Sequence, residues 1–110
     1  MKVIKEKFDD VMVVTLDVEI LDASVADNFK NAIVPILRSE TQVVLDMNNI
    51  QFVDSSGLGA ILTCLRIINA QGGELKICSL TKTVSALFEM VRMNSIFGIF
   101  NSRELALESF

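Results

Sequence analysis

The stretch Val43 to Leu62, VVLDMNNIQFVDSSGLGAIL, constrains the fold of this chain more than any other. Val43-Val44-Leu45-Asp46-Met47 is a short apolar run with β-branched residues, which suits a strand covered on both faces. Asn48-Asn49 breaks that run. After Ile50-Gln51-Phe52-Val53, the polar residues Asp54, Ser55 and Ser56 stand ahead of Leu58, Ile61, Leu62 and Leu65, apolar at the spacing of one helical face. Strand, loop and capped helix therefore follow one another without a break. The spacing predicts a helix from about Ser56 to Ala70, stopped at Gly72-Gly73, a pair that supplies a left-handed C-terminal cap.

The flanking segments repeat this alternation. Val3 to Phe8 and Val11 to Leu16 read as two strands joined at Asp9-Asp10, a hairpin at a sheet edge with the more apolar second strand further inside. Asp22 or Ser24 then caps a helix, with Asp27 completing a capping box and Val25, Phe29, Ile33, Ile36 and Leu37 forming its core stripe. Pro35 falls inside that stripe and either kinks the helix or ends it near Val34. Leu75 and Ile77 mark another strand. Val84, Leu87, Phe88 and Val91 mark a third helix ending near Asn94, and Ile99-Phe100 a last short strand. Asn101, answered by Glu104, would cap a final short helix that packs Leu105 and Phe110 onto the sheet. Strands alternating with single helices imply parallel pairing. The expectation is an α/β fold: one domain over residues 1–110, a mixed, mostly parallel sheet of four to five strands with an antiparallel edge hairpin, and about four helices. The loops Asp17 to Ser24, Asn48 to Gly57 and Ser79 to Lys82 should share the edge at the carboxyl ends of the parallel strands, where function gathers in such sheets.

Much chemistry is excluded at once. The chain has no histidine, so Ser-His-Asp hydrolysis, Cys-His catalysis and histidine-ligated metals are out. Gly57-Leu58-Gly59 begins like a dinucleotide fingerprint, but Leu62 stands where the third glycine belongs. No lysine follows Gly59 as a P-loop requires, and Ser55 is not in a nucleophile elbow. Neither a metal site nor a cofactor site is expected. A formal net charge of −4 without any Lys/Arg cluster argues against nucleic acid. The N-terminus is interrupted by charge too early for a signal peptide, and no run approaches about 18 apolar residues, so neither export nor membrane insertion is expected, and the cytoplasm is the expected location. Cys64 and Cys78 form no metal-spaced pair and read as buried free thiols.

What remains is the head of the second helix. The first turn of a helix leaves N–H groups unpaired and carries partial positive charge, so a hydroxyl there can become an anion at modest cost. Gly57 and Gly59 remove side chains from that turn and would let another backbone or a large partner approach the serines. By local chemistry alone, the plainer reading stays ahead: a serine that merely caps the helix and glycines that merely permit tight packing.

DSSGLGAIL, preceded by VVLDMNNIQFV and followed by GGELKICSLTKTVSALFEM, resembles the phosphoacceptor region of the anti-sigma factor antagonists, soluble members of the STAS domain family. The resemblance runs over nearly the whole chain. It implies the STAS fold and a regulator that is a substrate, not an enzyme. By that resemblance Ser55, the first hydroxyl residue after Asp54, takes the phosphate, and Ser56 is the second candidate. The partner surface would comprise Asp22, Ser24, Asp54, Ser55, Ser56, Gly57 and Leu58. The partners implied are an anti-sigma factor with serine kinase activity, which holds the unmodified form and releases its sigma factor, and a serine phosphatase that restores that form. The segment Asp17 to Asp22 departs from the family pattern, being about one residue longer and lacking the usual glycine.

Two other readings keep a similar fold. A STAS domain can be a scaffold, or a subunit of a stress-sensing or transport complex, that docks without phosphorylation. A response-regulator receiver would use Asp46 as its phosphoacceptor, with Asp17, Glu19 and Asp22 imitating a metal-holding acidic pair. It lacks the lysine wanted after Ile99-Phe100, and Asp46 is also explained as a solvated strand-end residue or a local backbone acceptor.

Overall fold

The structure, a computed structural model, describes residues 1–110. The chain opens with β1 (Val3–Phe8) and β2 (Val11–Leu16), an antiparallel hairpin. Its tight turn holds Asp9 at φ 53°, a left-handed conformation that aspartate tolerates better than most residues. There follow β3 (Ile20–Leu21), α1 (Ala26–Ser39), β4 (Gln42–Asp46), β5 (Phe52–Val53), α2 (Ser55–Ala70), β6 (Glu74–Cys78) and α3 (Lys82–Met90). A 3-10 turn at Met93–Ser95 leads to β7 (Gly98–Phe100) and α4 (Arg103–Glu108).

Five strands form one sheet in the order β1-β2-β4-β6-β7, parallel except for the β1-β2 pair. Register puts Val14, Leu45 and Ile77 side by side on one face, where Phe29, Ile33 and Leu37 of α1 and Ile61, Cys64 and Ile68 of α2 cover them. Val13 and Val44 sit on the opposite face with Val11 and Cys78, beneath Ala106 of α4. β4 and β6 are thus covered on both sides, which is why Val43-Val44-Leu45 is continuously apolar.

α4 is short, and two cations hold it down. Arg103 donates from Nε to Asp46 Oδ2 at 3.3 Å, from Nη1 to Glu6 Oε1 at 3.1 Å and from Nη2 to Thr15 Oγ1 at 2.9 Å. At the other end Lys76 Nζ donates to the carbonyl and hydroxyl of Ser109, at 2.8 and 2.7 Å, and lies 4.1 Å from the Phe110 ring centre. The ammonium satisfies a carbonyl that the helix end leaves free.

Several local expectations are corrected. Neither Asp22 nor Ser24 caps α1, and Asp27 completes no capping box. Val25 occupies the N-cap without a side-chain bond, because Asp22 Oδ1 accepts both the N–H and the hydroxyl of Ser24, at 3.0 and 2.6 Å. Pro35 does not end α1 near Val34. The helix continues to Ser39, since the proline is exposed while Ile36 and Leu37 beyond it are buried. α3 stops at Met90, not near Asn94, and Val91 points outward, with Arg92 at φ 60° turning the chain. Ser102, not Asn101, caps α4 by accepting the Leu105 N–H at 3.2 Å. Leu105 is exposed, and Ala106, Leu107 and Phe110 pack in its place.

Candidate functional site

Gly72 at φ 77° closes α2: its N–H donates to Asn69 O at 3.0 Å and that of Gly73 to Ile68 O at 2.9 Å, a Schellman motif. The start of α2 is built by parts of the chain some thirty residues apart. β3 and β5, two residues each, pair in parallel with Ile20 beside Phe52 and Leu21 beside Val53. Glu19 O accepts the Gln51 N–H at 2.7 Å, and Leu21 O accepts the Asp54 N–H at 3.3 Å. This small ribbon lies outside the main sheet and brings the loop after β2 against the loop after β4.

Asp54 is the fastening between them. Its backbone is extended at the N-cap of α2; its Oδ1 accepts the Gly57 N–H at 2.9 Å and its Oδ2 the Ala23 N–H at 3.1 Å. One carboxylate therefore caps the helix and holds the Asp22-Ala23-Ser24 loop beside it. Ser55 and Ser56 are then free of capping duty. They are the first two residues of α2 and are exposed, and their backbone N–H groups take part in no hydrogen bond of the structure. An anion on Ser55 would face unpaired donors at a positively polarised terminus.

The two glycines differ. A Cβ on Gly57 would stand 2.2 Å from the Leu21 carbonyl oxygen and 2.9 Å from Val53 Cγ1, so the chain's own ribbon fills that space and no partner can. Of the alternatives for Gly57, another backbone, that of Leu21, takes the space and not a partner, while Gly59, with nothing within 4 Å of its Cβ position, is open. Leu58 is partly buried and packs on the core, leaving only part of it to a partner. Arg66 and Asn69, further along α2, are exposed. The third loop joins the same edge: Thr81 Oγ1 donates to Ile50 O at 3.3 Å and accepts the Val84 N–H at 3.4 Å, capping α3. The structure thus brings Asp22, Ser24, Asp54, Ser55, Ser56 and Gly57 together at one edge.

Asp46 is not a solvated strand end. It is 4% exposed, its Oδ1 accepts the Asn48 N–H at 3.1 Å and its Oδ2 pairs with Arg103 at 3.3 Å. The backbone-acceptor reading holds, whereas a receiver would need that carboxylate accessible. No cluster of three or more His, Cys, Asp or Glu side chains gathers into a metal-binding arrangement. Both cysteines are buried, and burial pushes the Cys64 thiol up to about 12 and that of Cys78 up to about 11, so neither is poised as a nucleophile. No helix is long and apolar enough to cross a membrane.

One feature of this edge is not singled out by the sequence reading. Ile20 and Phe52 are 49% and 51% exposed beside this loop. With Leu21 and Val53 facing inward, Ile20 and Phe52 must face out, but strands of two residues leave no period in the sequence by which to find them.

The chain thus combines a mostly parallel α/β sheet led by an antiparallel hairpin with a hydroxyl-bearing helix start fastened to a neighbouring loop. The chain belongs to the STAS domain family, which it matches over residues 2–106. It is 40% identical over 65 residues to the anti-sigma F factor antagonist of Paenibacillus polymyxa, a match covering 59% of this chain and 56% of that relative. It is 29% identical to BtrV of Bordetella bronchiseptica over 110 residues, 100% of this chain and 95% of that protein. Among solved structures it is similar to the Bacillus anti-sigma factor antagonist SpoIIAA. The unphosphorylated form superposes with a TM-score of 0.70 at 18% identity, covering 98% of this chain and 96% of that one. The phosphorylated form gives 0.72 at 19% identity, covering 98% of each chain. At that identity the likeness shows the fold.

Proposed function

We propose that this chain is an anti-sigma factor antagonist whose binding is switched by phosphorylation of Ser55. Residues 1–110 act as one STAS docking unit in the cytoplasm, without catalysis of their own. The unmodified form binds an anti-sigma factor with serine kinase activity and so frees a sigma factor. The kinase phosphorylates Ser55, and a serine phosphatase restores the hydroxyl. The observation that carries this reading is the division of labour at the head of α2: Asp54 does the capping, which leaves the Ser55 hydroxyl exposed beside unpaired N–H groups. The names of the relatives, and the existence of a phosphorylated form of SpoIIAA, support it.

The energetics are sufficient. A phosphate adds about −1.5 to −2 charges at a position flanked by the Asp54 carboxylate. A hundredfold loss of affinity needs only about 2.7 kcal/mol, and an uncompensated charge buried in an interface costs several kcal/mol. Ser55→Ala should keep the fold and bind the anti-sigma factor constitutively, and Ser55→Asp should bind it weakly. Phosphosite mapping by mass spectrometry on protein from its native cells tests the assignment. Phosphate on Ser56 of the wild type, or phosphate still accepted by Ser55→Ala, would move the switch off Ser55.

A further inference from the structure

Ile20 and Phe52 are register partners across β3 and β5, and their inward neighbours Leu21 and Val53 are buried, so the two exposed side chains leave the ribbon on the same face. Their backbone is fixed by the bonds from Gln51 and Phe52 to Glu19 O and from Asp54 to Leu21 O. Two large apolar groups are thus held side by side in solvent on a rigid support, immediately before the Asp22 and Asp54 loops.

The charges around this pair differ at its two ends. Towards the start of β3, Asp17, Val18, Glu19, Asn49 and Gln51 line a shallow depression of about 190 Å³. The one cation paired there is Lys2, 3.2 Å from Asp17, and the Glu19 carboxylate has neither a cation nor a donor. Towards α2, Asp22 and Asp54 direct their oxygens to the chain's own Ser24, Ala23 and Gly57. Of these carboxylates, all charged, only that of Glu19 has no hydrogen-bond or ion-pair partner within the chain, while the modifiable group at the other end, the Ser55 hydroxyl, is neutral.

We infer that the Ile20–Phe52 pair is the apolar anchor of a docking surface running from Glu19 to Ser55, and that it takes a protein partner presenting an apolar recess bordered by Lys or Arg. This rests on the reading of Ser55 as the switch. A second copy docked about a two-fold axis through the pair would set Glu19 against that copy's Asp22 and Asp54 end, which offers carboxylates and no cation, and an anionic lipid surface would be repelled by the same carboxylates. A partner with a basic border gains from them. It attracts at the Glu19 end and meets Ser55 where it has no cation to offer, so a phosphate there opposes docking instead of reinforcing it.

The test is the affinity of the purified anti-sigma factor kinase of the same cell for the wild type and for Phe52→Ser, Ile20→Ser, Glu19→Lys, Ser55→Asp and Met90→Ser. Met90, on α3, is the control: it is 79% exposed and outside the proposed surface. We expect Phe52→Ser and Ile20→Ser each to bind at least ~10-fold more weakly. Glu19→Lys should associate more slowly with little change in dissociation rate, and Met90→Ser should match the wild type. Circular dichroism melts establish that the apolar variants fold, and Glu19→Lys, which leaves the packing alone, decides if they do not. If these variants bind like the wild type while Ser55→Asp is weakened, the surface is wrong and the Ser55 switch stands. If Ser55→Asp is also unaffected, or the wild type does not bind the kinase, both fail. Self-association of the wild type, lost in Phe52→Ser, would assign the face to a second copy and overturn the proposal.

Discussion

Gly57→Ala and Gly59→Ala lie two residues apart in the first two turns of one helix and should change stability in opposite directions. The Cβ added at Gly57 would meet the Leu21 carbonyl oxygen at 2.2 Å, against about 3.5 Å for an ordinary contact, so β3 and α2 must part by roughly 1 Å. Overpacking of this kind costs about 1–3 kcal/mol, and loss of the 3.3 Å bond from Asp54 N–H to Leu21 O adds about 1 kcal/mol. Alanine returns about 1 kcal/mol in helix propensity. The net loss is about 2 kcal/mol, a fall in Tm of roughly 10 °C for a domain of this size. At Gly59 nothing lies within 4 Å, so only the propensity gain of up to about 1 kcal/mol remains. Thermal melts and urea titrations of both variants measure the difference. A Gly57→Ala protein as stable as the wild type, or a Gly59→Ala protein destabilised like it, would refute the assignment of Gly57 to the chain's own packing and Gly59 to open surface.

Arg103→Met should cost about 3 kcal/mol in urea unfolding, because it strands the buried Asp46 carboxylate; adding Asp46→Asn should recover at least half. Asp54→Ala should lose about 2 kcal/mol, combining a helix cap with the bond to the Ala23 N–H, and Asp54→Asn should lose less. The thiols set a pH dependence. Folding raises Cys64 from 9.0 to about 12 and Cys78 from 9.0 to about 11, so the unfolded chain releases these protons first. The stability they contribute is complete below pH 9 and falls as pH rises through 11 and 12, by up to about 1.4 kcal/mol per pH unit for each thiol. The urea midpoint should drop between pH 8 and pH 10, less steeply in a Cys64→Ala, Cys78→Ala protein; equal slopes would contradict it.

What could be read from the sequence was whatever local chemistry determines. The hairpin at Asp9-Asp10, α2 with its stop at Gly72, and the meeting of three loops at one edge follow from turn residues, apolar period and strand alternation. The parts that were not legible depend on contacts between distant segments. β3 and β5 are two residues each, too short to show a period, and exist because each pairs with the other. The role of Gly57 is visible only once the Leu21 carbonyl crosses it. Asp46 looks like a strand-end acid until Arg103, 57 residues later, folds back over it. Helix caps were displaced by one residue or captured by a neighbour, as where Asp22 takes Ser24 and Ser102 replaces Asn101, because adjacent polar residues compete for the same N–H groups at near-equal energy.

The most direct test of the switch is the dissociation constant of the anti-sigma factor kinase for two preparations of this chain, one unmodified and one phosphorylated stoichiometrically at Ser55. We expect the phosphorylated protein to bind at least ~100-fold more weakly, about 2.7 kcal/mol, with its fold unchanged by circular dichroism. Equal constants for the two would contradict the switch at Ser55 and leave the STAS fold without it.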